Sequence, residues 1–411
     1  MVGLCNGTDK NITLGSAEDP IEVAGTVNTV PVDASNIDAL IAGSTNRTDG
    51  VHVIYAGTTA APKQPALERV WGWYSEGSNL WTANVTAIAI SHPDGYGMAR
   101  GLAMDDEYIY LPKSSAYANM AAVKITDPTQ QVAASISGVA GGTTFTSSFV
   151  RVIKNTDASV NGGKDVVLLC NLTETNSDAN KLQLYAYKDG TAAAPTMIAA
   201  FCYDSANNVN DWRRYGDRFT VVGDWSGAKV YFPSFNSNKT VMLEIANGAR
   251  TSVVQIAAGA DNSPEGIKDL TVYPGSDKLF LSNVNIGNLV APTGGLANGW
   301  NEFTLSGSEA NGKGTMGYNF FKFNGKDYIA YARISGQKAW IEVIEDKGDL
   351  LSSLAAQDGL LKSPIHSAAN IDAEHATGNI ADCCVREIGG DVYIAALTRD
   401  GGLVVDKLVL T

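Results

Sequence analysis

The chain of 411 residues is 45% hydrophobic and 18% charged, with a net charge of −13. That balance excludes a disordered chain, and the dispersed negative charge repels phosphate backbones, so no nucleic-acid partner is expected. No apolar run approaches the roughly 20 residues of a membrane-spanning helix, and the length admits either two or three ordinary domains or one large repeat-built domain.

The opening "MVGLCNGTDK" lacks the basic start and apolar core of a secretory signal, although Cys5 after Leu4 has a faint likeness to a lipoprotein attachment site. "PIEVAG" (20–25) then reads as a short strand ahead of the first repeat. Residues 51–75, "VHVIYAG…ALERVWGWYS", form a loose first copy of a pattern that recurs along the chain. Each copy has a short strand, a tight Asp/Gly turn, a strand rich in Val, Ile, Tyr and Leu, a loop and an alternating third strand.

The copies are "RGLAMDDEYIYLP…MAAVKI" (100–125), "SFVRVIKN…KDVVLLC…KLQLYAY" (148–187), "GDRFTVVGDWSGAKVYF…VMLEI" (216–245), "KDLTVYPGSDKLFLS…WNEFTL" (268–305), "YNFFKFNGKDYIAYA…AWIEVI" (318–344) and "CCVREIGGDVYIAAL…GLVVDKLVL" (384–410). Their spacing, on the order of 50–60 residues, approaches that of propeller repeats enlarged by loops. The apolar runs at 86–90, 131–137, 196–202 and 252–257 supply fourth, outer strands.

The expected fold is therefore an all-β, seven-bladed β-propeller with four-stranded antiparallel blades in a single domain over 1–411. The blades are expected near 37–90, 99–137, 148–202, 217–257, 267–310, 317–356 and 381–411, after an N-terminal segment 1–36 whose strand at 20–25 closes the ring. "DLLSSLAAQDGLL" (349–361) reads as a turn or two of helix, and 155–164, 285–299 and 362–380 read as rim loops.

In a propeller the segments leading into the first strands crowd one face of the central channel, where ligands commonly sit. Asp211, Trp212, Arg213, Arg214, Asp217 and Arg218 form the densest polar cluster there, with Arg100, Glu265, Lys268, Tyr318, Asn319 and Asp382 as counterparts. One reading makes Trp212 and Tyr318 platforms for a sugar ring, with the Arg and Asp groups bonding hydroxyls or a carboxylate. The other has the charges pairing across blades to hold the ring shut. Asp211, Glu265 and Asp382 also admit a paired-carboxylate arrangement, the requirement of a glycosidase.

The remaining motifs carry less. Cys5, Cys170, Cys202, Cys383 and Cys384 lack CxxC spacing, and neighbouring Cys383 and Cys384 read as small buried hydrophobes on opposite faces of a strand. His52, His92, His366 and His375 lack metal-ligand spacing. "DASVNGGKD" (157–165) has a calcium-loop look, but its twelfth position is Leu168 rather than Glu, so a hairpin loop is expected. No nucleophile elbow or phosphate-cradling loop is found, and neither a cofactor nor a metal is expected.

"GDRFTVVGDWSGAKVYFPSFNSNKTVMLEI" resembles the blades of uncharacterised propeller proteins exported by gut Bacteroidetes, most closely over 210–250. The resemblance implies a seven-bladed fold and an extracytoplasmic place in the cell envelope, often as a lipoprotein, and brings no catalytic residues with it. The resulting expectation is a monomeric module that binds a carbohydrate or a partner protein at the channel face without chemistry. The alternative is a carbohydrate-active hydrolase or lyase using channel-face carboxylates.

Overall fold

The computed structural model describes residues 2–5, 52–55, 63–74, 100–112, 119–140, 145–173, 180–201, 214–234, 239–257, 269–283, 286–290, 315–335, 338–364, 366–367, 381–398 and 402–411. The chain divides into two units, one of residues 1–65 with 410–411 and the other of residues 66–409. In the smaller unit Val2–Cys5 pairs antiparallel with His52–Tyr55, and Gln64 and Thr411 exchange backbone hydrogen bonds of 2.9 Å.

The larger unit is built of antiparallel sheets that follow one another along the chain. Blade 1 comprises Ala103–Met104, Tyr108–Leu111, Asn119–Lys124 and Gln131–Ser135; blade 2, Phe145–Ile153, Val166–Leu172, Leu182–Ala186 and Thr196–Phe201. Blade 3 comprises Thr220–Asp224, Gly227–Pro233, Lys239–Ala246 and Ala249–Ala257, and blade 4 the three strands Asp269–Val272, Leu279–Asn283 and Ile286–Val290. Blade 5 has Thr315–Phe323, Lys326–Ser335 and Lys338–Asp346, its fourth position shared by Leu361–Lys362 and His366–Ser367, which both pair with Lys338–Asp346. Blade 6 has Ala381–Ile388, Asp391–Thr398 and Gly402–Leu410, with Pro65–Tyr74 as its outer strand.

Strands such as Val166–Leu172 and Gly402–Leu410 are buried on both faces, which explains their near-continuous apolar runs. In Val166–Leu172 every residue is buried: Val166, Leu168 and Cys170 face blade 3, while Val167 and Leu169 face blade 1. Each side chain so enclosed contributes about 1.5–3 kcal/mol. The cores lie between successive blades, and the one containing Leu102, Ile109, Cys384, Ala395 and Leu403 joins blade 6 back to blade 1. The first strands neighbour one another in the same circular order. This is a β-propeller.

Several expectations are corrected. Six blades are found among the described residues where seven were expected, and the described parts of the stretch 51–75 enter two different sheets. Its first part pairs with Val2–Cys5, and its alternating second part, Pro65–Tyr74, takes the open edge of Gly402–Leu410. That edge was expected to be closed by 20–25, which lie outside the described residues, as does the run at 86–90. In blade 4 the third strand is Ile286–Val290, inside the segment expected to be a loop; 300–305 lie outside the described residues.

The helix forms at Leu350–Ala356, capped by Asp349, whose carboxylate accepts from Ser352 N at 3.3 Å and Ser352 Oγ at 2.7 Å. The loop at 155–165 is a hairpin connection as expected. The Asn155 amide bridges three of its carbonyls, and Asp157 Oδ1 accepts from Ser159 N and Oγ at 2.8 and 2.7 Å. Cys383 and Cys384 fall in different cores, and burial raises both thiols.

Candidate functional site

Asp382, the second residue of its strand, is fully enclosed where the first strands begin. Its Oδ2 accepts from the backbone N of Leu102 at 2.9 Å and from Arg151 Nη1 at 2.8 Å. Its Oδ1 accepts from Arg151 Nη2 and Arg218 Nη1, each at 3.1 Å. Four donors from blades 1, 2 and 3 thus converge on one carboxylate of blade 6.

Arg218 Nη1 also stands 3.6 Å from Oδ1 of Asp269. Asp269 Oδ1 accepts from its neighbour Leu270 N at 2.9 Å, and Oδ2 accepts from Gly317 N and Tyr318 N at 2.6 and 3.1 Å. The Asn319 amide then donates to the carbonyls of Gly317 at 2.8 Å and Cys383 at 2.6 Å. The polar circuit therefore passes through all six described blades. Phe149 lies beneath it, its ring centroid 4.3 Å from the Arg151 guanidinium and 5.4 Å from that of Arg218, close enough for cation–π attraction.

A backbone irregularity makes the close approach of blades 5 and 6 possible. The register of Thr315–Phe323 shifts between Met316 and Asn319, and Gly317 there has a φ of +75°. A Cβ at this residue would stand 2.0 Å from Cys383 N, so glycine is required for both conformation and space.

Asp217 anchors a second cluster. Arg214 reaches it through Nε (2.6 Å) and Nη2 (2.5 Å), and Arg100 through Nη1 (2.5 Å). Burial penalises the Asp217 charge, but the two arginines outweigh that penalty and hold the carboxyl below its ordinary range. Burial likewise opposes the charge of Arg151, and Asp382 more than compensates, raising its pKa. A carboxylate held ionised by arginines accepts hydrogen bonds and does not serve as a proton donor near neutrality.

Of the residues singled out in sequence, Arg100, Arg214, Asp217, Arg218, Tyr318, Asn319 and Asp382 are described, and all lie near the starts of the first strands. Asp211, Trp212, Arg213, Glu265 and Lys268 lie outside the described residues. The stacking role expected of Tyr318 is corrected. It is 4% exposed, with its ring edge-on to Phe280 and against Tyr331, and so belongs to the core between blades 4 and 5. Two members of the circuit, Arg151 and Asp269, were missed. Asp269 carried a readable signal, since it opens its strand much as Asp382 opens its own.

At the other end of the blades, beside the first hairpin turns, lies a cavity of about 380 Å³ lined by Tyr273, Phe320, Phe321, Tyr328, Asp327 and Asp346 among others. Tyr273 donates to Asp346 Oδ2 at 2.7 Å, and its hydroxyl is pushed up to about 12 by burial and by this carboxylate.

No family model and no curated protein matches the chain. Among solved structures it is similar to the crystal structure of an ancestral GH74 enzyme, with 13% sequence identity and a TM-score of 0.41. The match covers 75% of this chain and 47% of that one, so the chain spans about half the length of the structure it matches. No described helix is long and apolar enough to cross a membrane.

Proposed function

We propose that this propeller is an extracytoplasmic binding module that takes a glycan or a partner protein at its channel face and performs no chemistry of its own. The observation that carries the reading is the pairing of the described carboxylates on that face. Asp217 and Asp382 are each engaged by arginines, and Asp269 accepts from backbone N–H groups while facing Arg218. Glycoside hydrolysis needs one carboxyl with a raised pKa facing a second carboxylate, and the two arginines at Asp217 act in the opposite direction. What such a circuit supplies instead is a rigid platform, because each charge that would otherwise be hydrated is held by a neighbouring blade.

Binding of the full chain to an array of glycans, run beside a turnover assay on the same polysaccharides, tests this function. Saturable binding without product formation is the expected result. Release of reducing ends or of unsaturated sugars would overturn it and turn attention to the carboxylates Asp211, Glu265 and Asp382.

A further inference from the structure

Arg333 lies on the second strand of blade 5, in register with Thr315 on one side and Trp340 on the other. It is 3% exposed, yet among the described residues none accepts a hydrogen bond from its Nε or Nη1. Enclosing a guanidinium without a counter-charge is strongly unfavourable, so a chain keeps one where another group supplies the compensation.

The surroundings define what that group is. Strand alternation puts Arg333 on the same face as Tyr331, whose ring packs with Tyr318 in the core between blades 4 and 5. The carboxylate of that face is Glu342, 1% exposed and opposite Tyr331. Its oxygens are taken by Tyr331 OH and Trp340 Nε1, each at 2.8 Å, and the Lys362 ammonium stands 3.9 Å from Oε1. Across the interface, Ser282 shares the strand face of Phe280, is fully enclosed, and has an Oγ with no partner among the described residues. In register it faces Asp269, which places it at the channel end of blade 4.

One cation, through its Nε and Nη1, and one hydroxyl, each without a partner among the described residues, therefore stand on the two walls of a single interface. We propose that this channel-side end of the interface between blades 4 and 5 is an anion site, and that the group it takes is the carboxylate of an acidic sugar. Glu342 on the same face and the net charge of −13 disfavour a doubly charged phosphate, whereas a singly charged carboxylate matches one arginine. The inference rests on the reading that the channel face binds glycans, and it names the class of glycan.

The test is calorimetric titration of the full chain with galacturonate and glucuronate oligomers, with galactose and glucose oligomers as neutral counterparts and inorganic sulfate as a bare anion. Uronate binding at least ten-fold tighter than the neutral sugars is expected. Arg333→Met is expected to reduce uronate affinity at least ten-fold while leaving the ligand-free Tm unchanged or higher, because it removes an uncompensated charge. Ser282→Ala, a change small enough to fold, is expected to weaken uronate binding several-fold. A marked fall in ligand-free Tm for Arg333→Met, or its failure to fold, would assign the arginine to an internal partner and overturn the proposal. Equal affinity for uronate and neutral sugars, undisturbed by either substitution, overturns the anion site while leaving glycan binding intact. Binding of sulfate in preference to uronate overturns the carboxylate assignment, and binding of no sugar overturns both readings.

Discussion

Asp382 and Arg151 form a two-pronged ion pair, Oδ2 to Nη1 at 2.8 Å and Oδ1 to Nη2 at 3.1 Å, although their blades are separated by blade 1. The pair spans the intervening blade by bonding it from both sides: Leu102 N donates to Asp382 at 2.9 Å, and Leu102 O accepts from Arg151 at 2.8 Å. Replacing Asp382 by Ala takes from Arg151 the carboxylate it pairs with and leaves Arg218 facing Asp269 at 3.6 Å, and a loss of roughly 3–5 kcal/mol is expected. Denaturant unfolding of D382A, R151M and the double variant D382L/R151M checks this. The double variant should be more stable than the sum of the single losses implies, as expected for residues that act as one unit.

Asp217 predicts a pH dependence of opposite sense to that of an acid catalyst. Its folded pKa lies below the ordinary aspartate value of about 3.9, so its contribution to stability is fully present above that value. The contribution is lost as pH falls through the lower folded value. Asp217→Asn should lower stability at neutral pH and flatten the acid limb of a Tm-versus-pH profile below about pH 4. An unchanged acid limb would show that Arg100 and Arg214 do not stabilise the charged form.

The two ionic clusters also mark how far sequence carries. The Asp/Gly turns and apolar strands of blades 2, 3, 5 and 6 are local signals, and the repeat is visible because each blade buries both of its faces. Pro65–Tyr74 looks like the third strand of a blade of its own because alternation says that a strand is half or wholly buried and nothing about which edge it joins. Ile286–Val290 is hidden by its Gly-Asn content, which resembles a loop until Leu279–Asn283 pairs with it. At the channel face Asp217 and Asp382 stand out as acids near strand starts, and so do their partners Arg100, Arg214 and Arg218, but Arg151 does not. Arg151 lies 231 positions from Asp382, and only ring closure brings the two together.

The glycine at 317 offers a contrast within one strand–turn–strand unit. Gly317 and Gly325 have φ values of +75° and +76°, so alanine at either position meets the same backbone penalty, on the order of 1–2 kcal/mol. At Gly325 nothing lies within 4 Å of the added Cβ, whereas at Gly317 the backbone of Cys383 and Asp382 is in the way. Gly325→Ala should therefore cost about 1 kcal/mol. Gly317→Ala should cost at least twice as much, because blades 5 and 6 must move apart. Thermal unfolding of both variants measures the difference, and equal losses would mean that the approach of the two blades is soft.

Arg69 holds the outer strand of blade 6 in place. Its Nε donates to Asp406 Oδ1 at 2.5 Å, and Nη2 donates to the carbonyl of Pro364 in blade 5 at 2.8 Å. Asp406 is fully enclosed, its Oδ2 has no hydrogen-bond partner among the described residues, and burial raises its pKa despite the opposing pull of Arg69. Ionising this carboxyl is therefore harder in the folded chain than in the unfolded one, so its contribution to stability declines as pH rises through the folded pKa. Arg69→Ala removes the cation that limits this decline. The stability gap between wild type and R69A should be smallest near pH 4, where the hydrogen bonds to Pro364 and to a protonated Asp406 are lost but no ion pair is, and widen to roughly 3 kcal/mol at neutral pH. Denaturant midpoints across that range decide it. A gap that stays constant with pH would mean that Arg69 contributes through packing alone, with the Asp406 charge accommodated by other means.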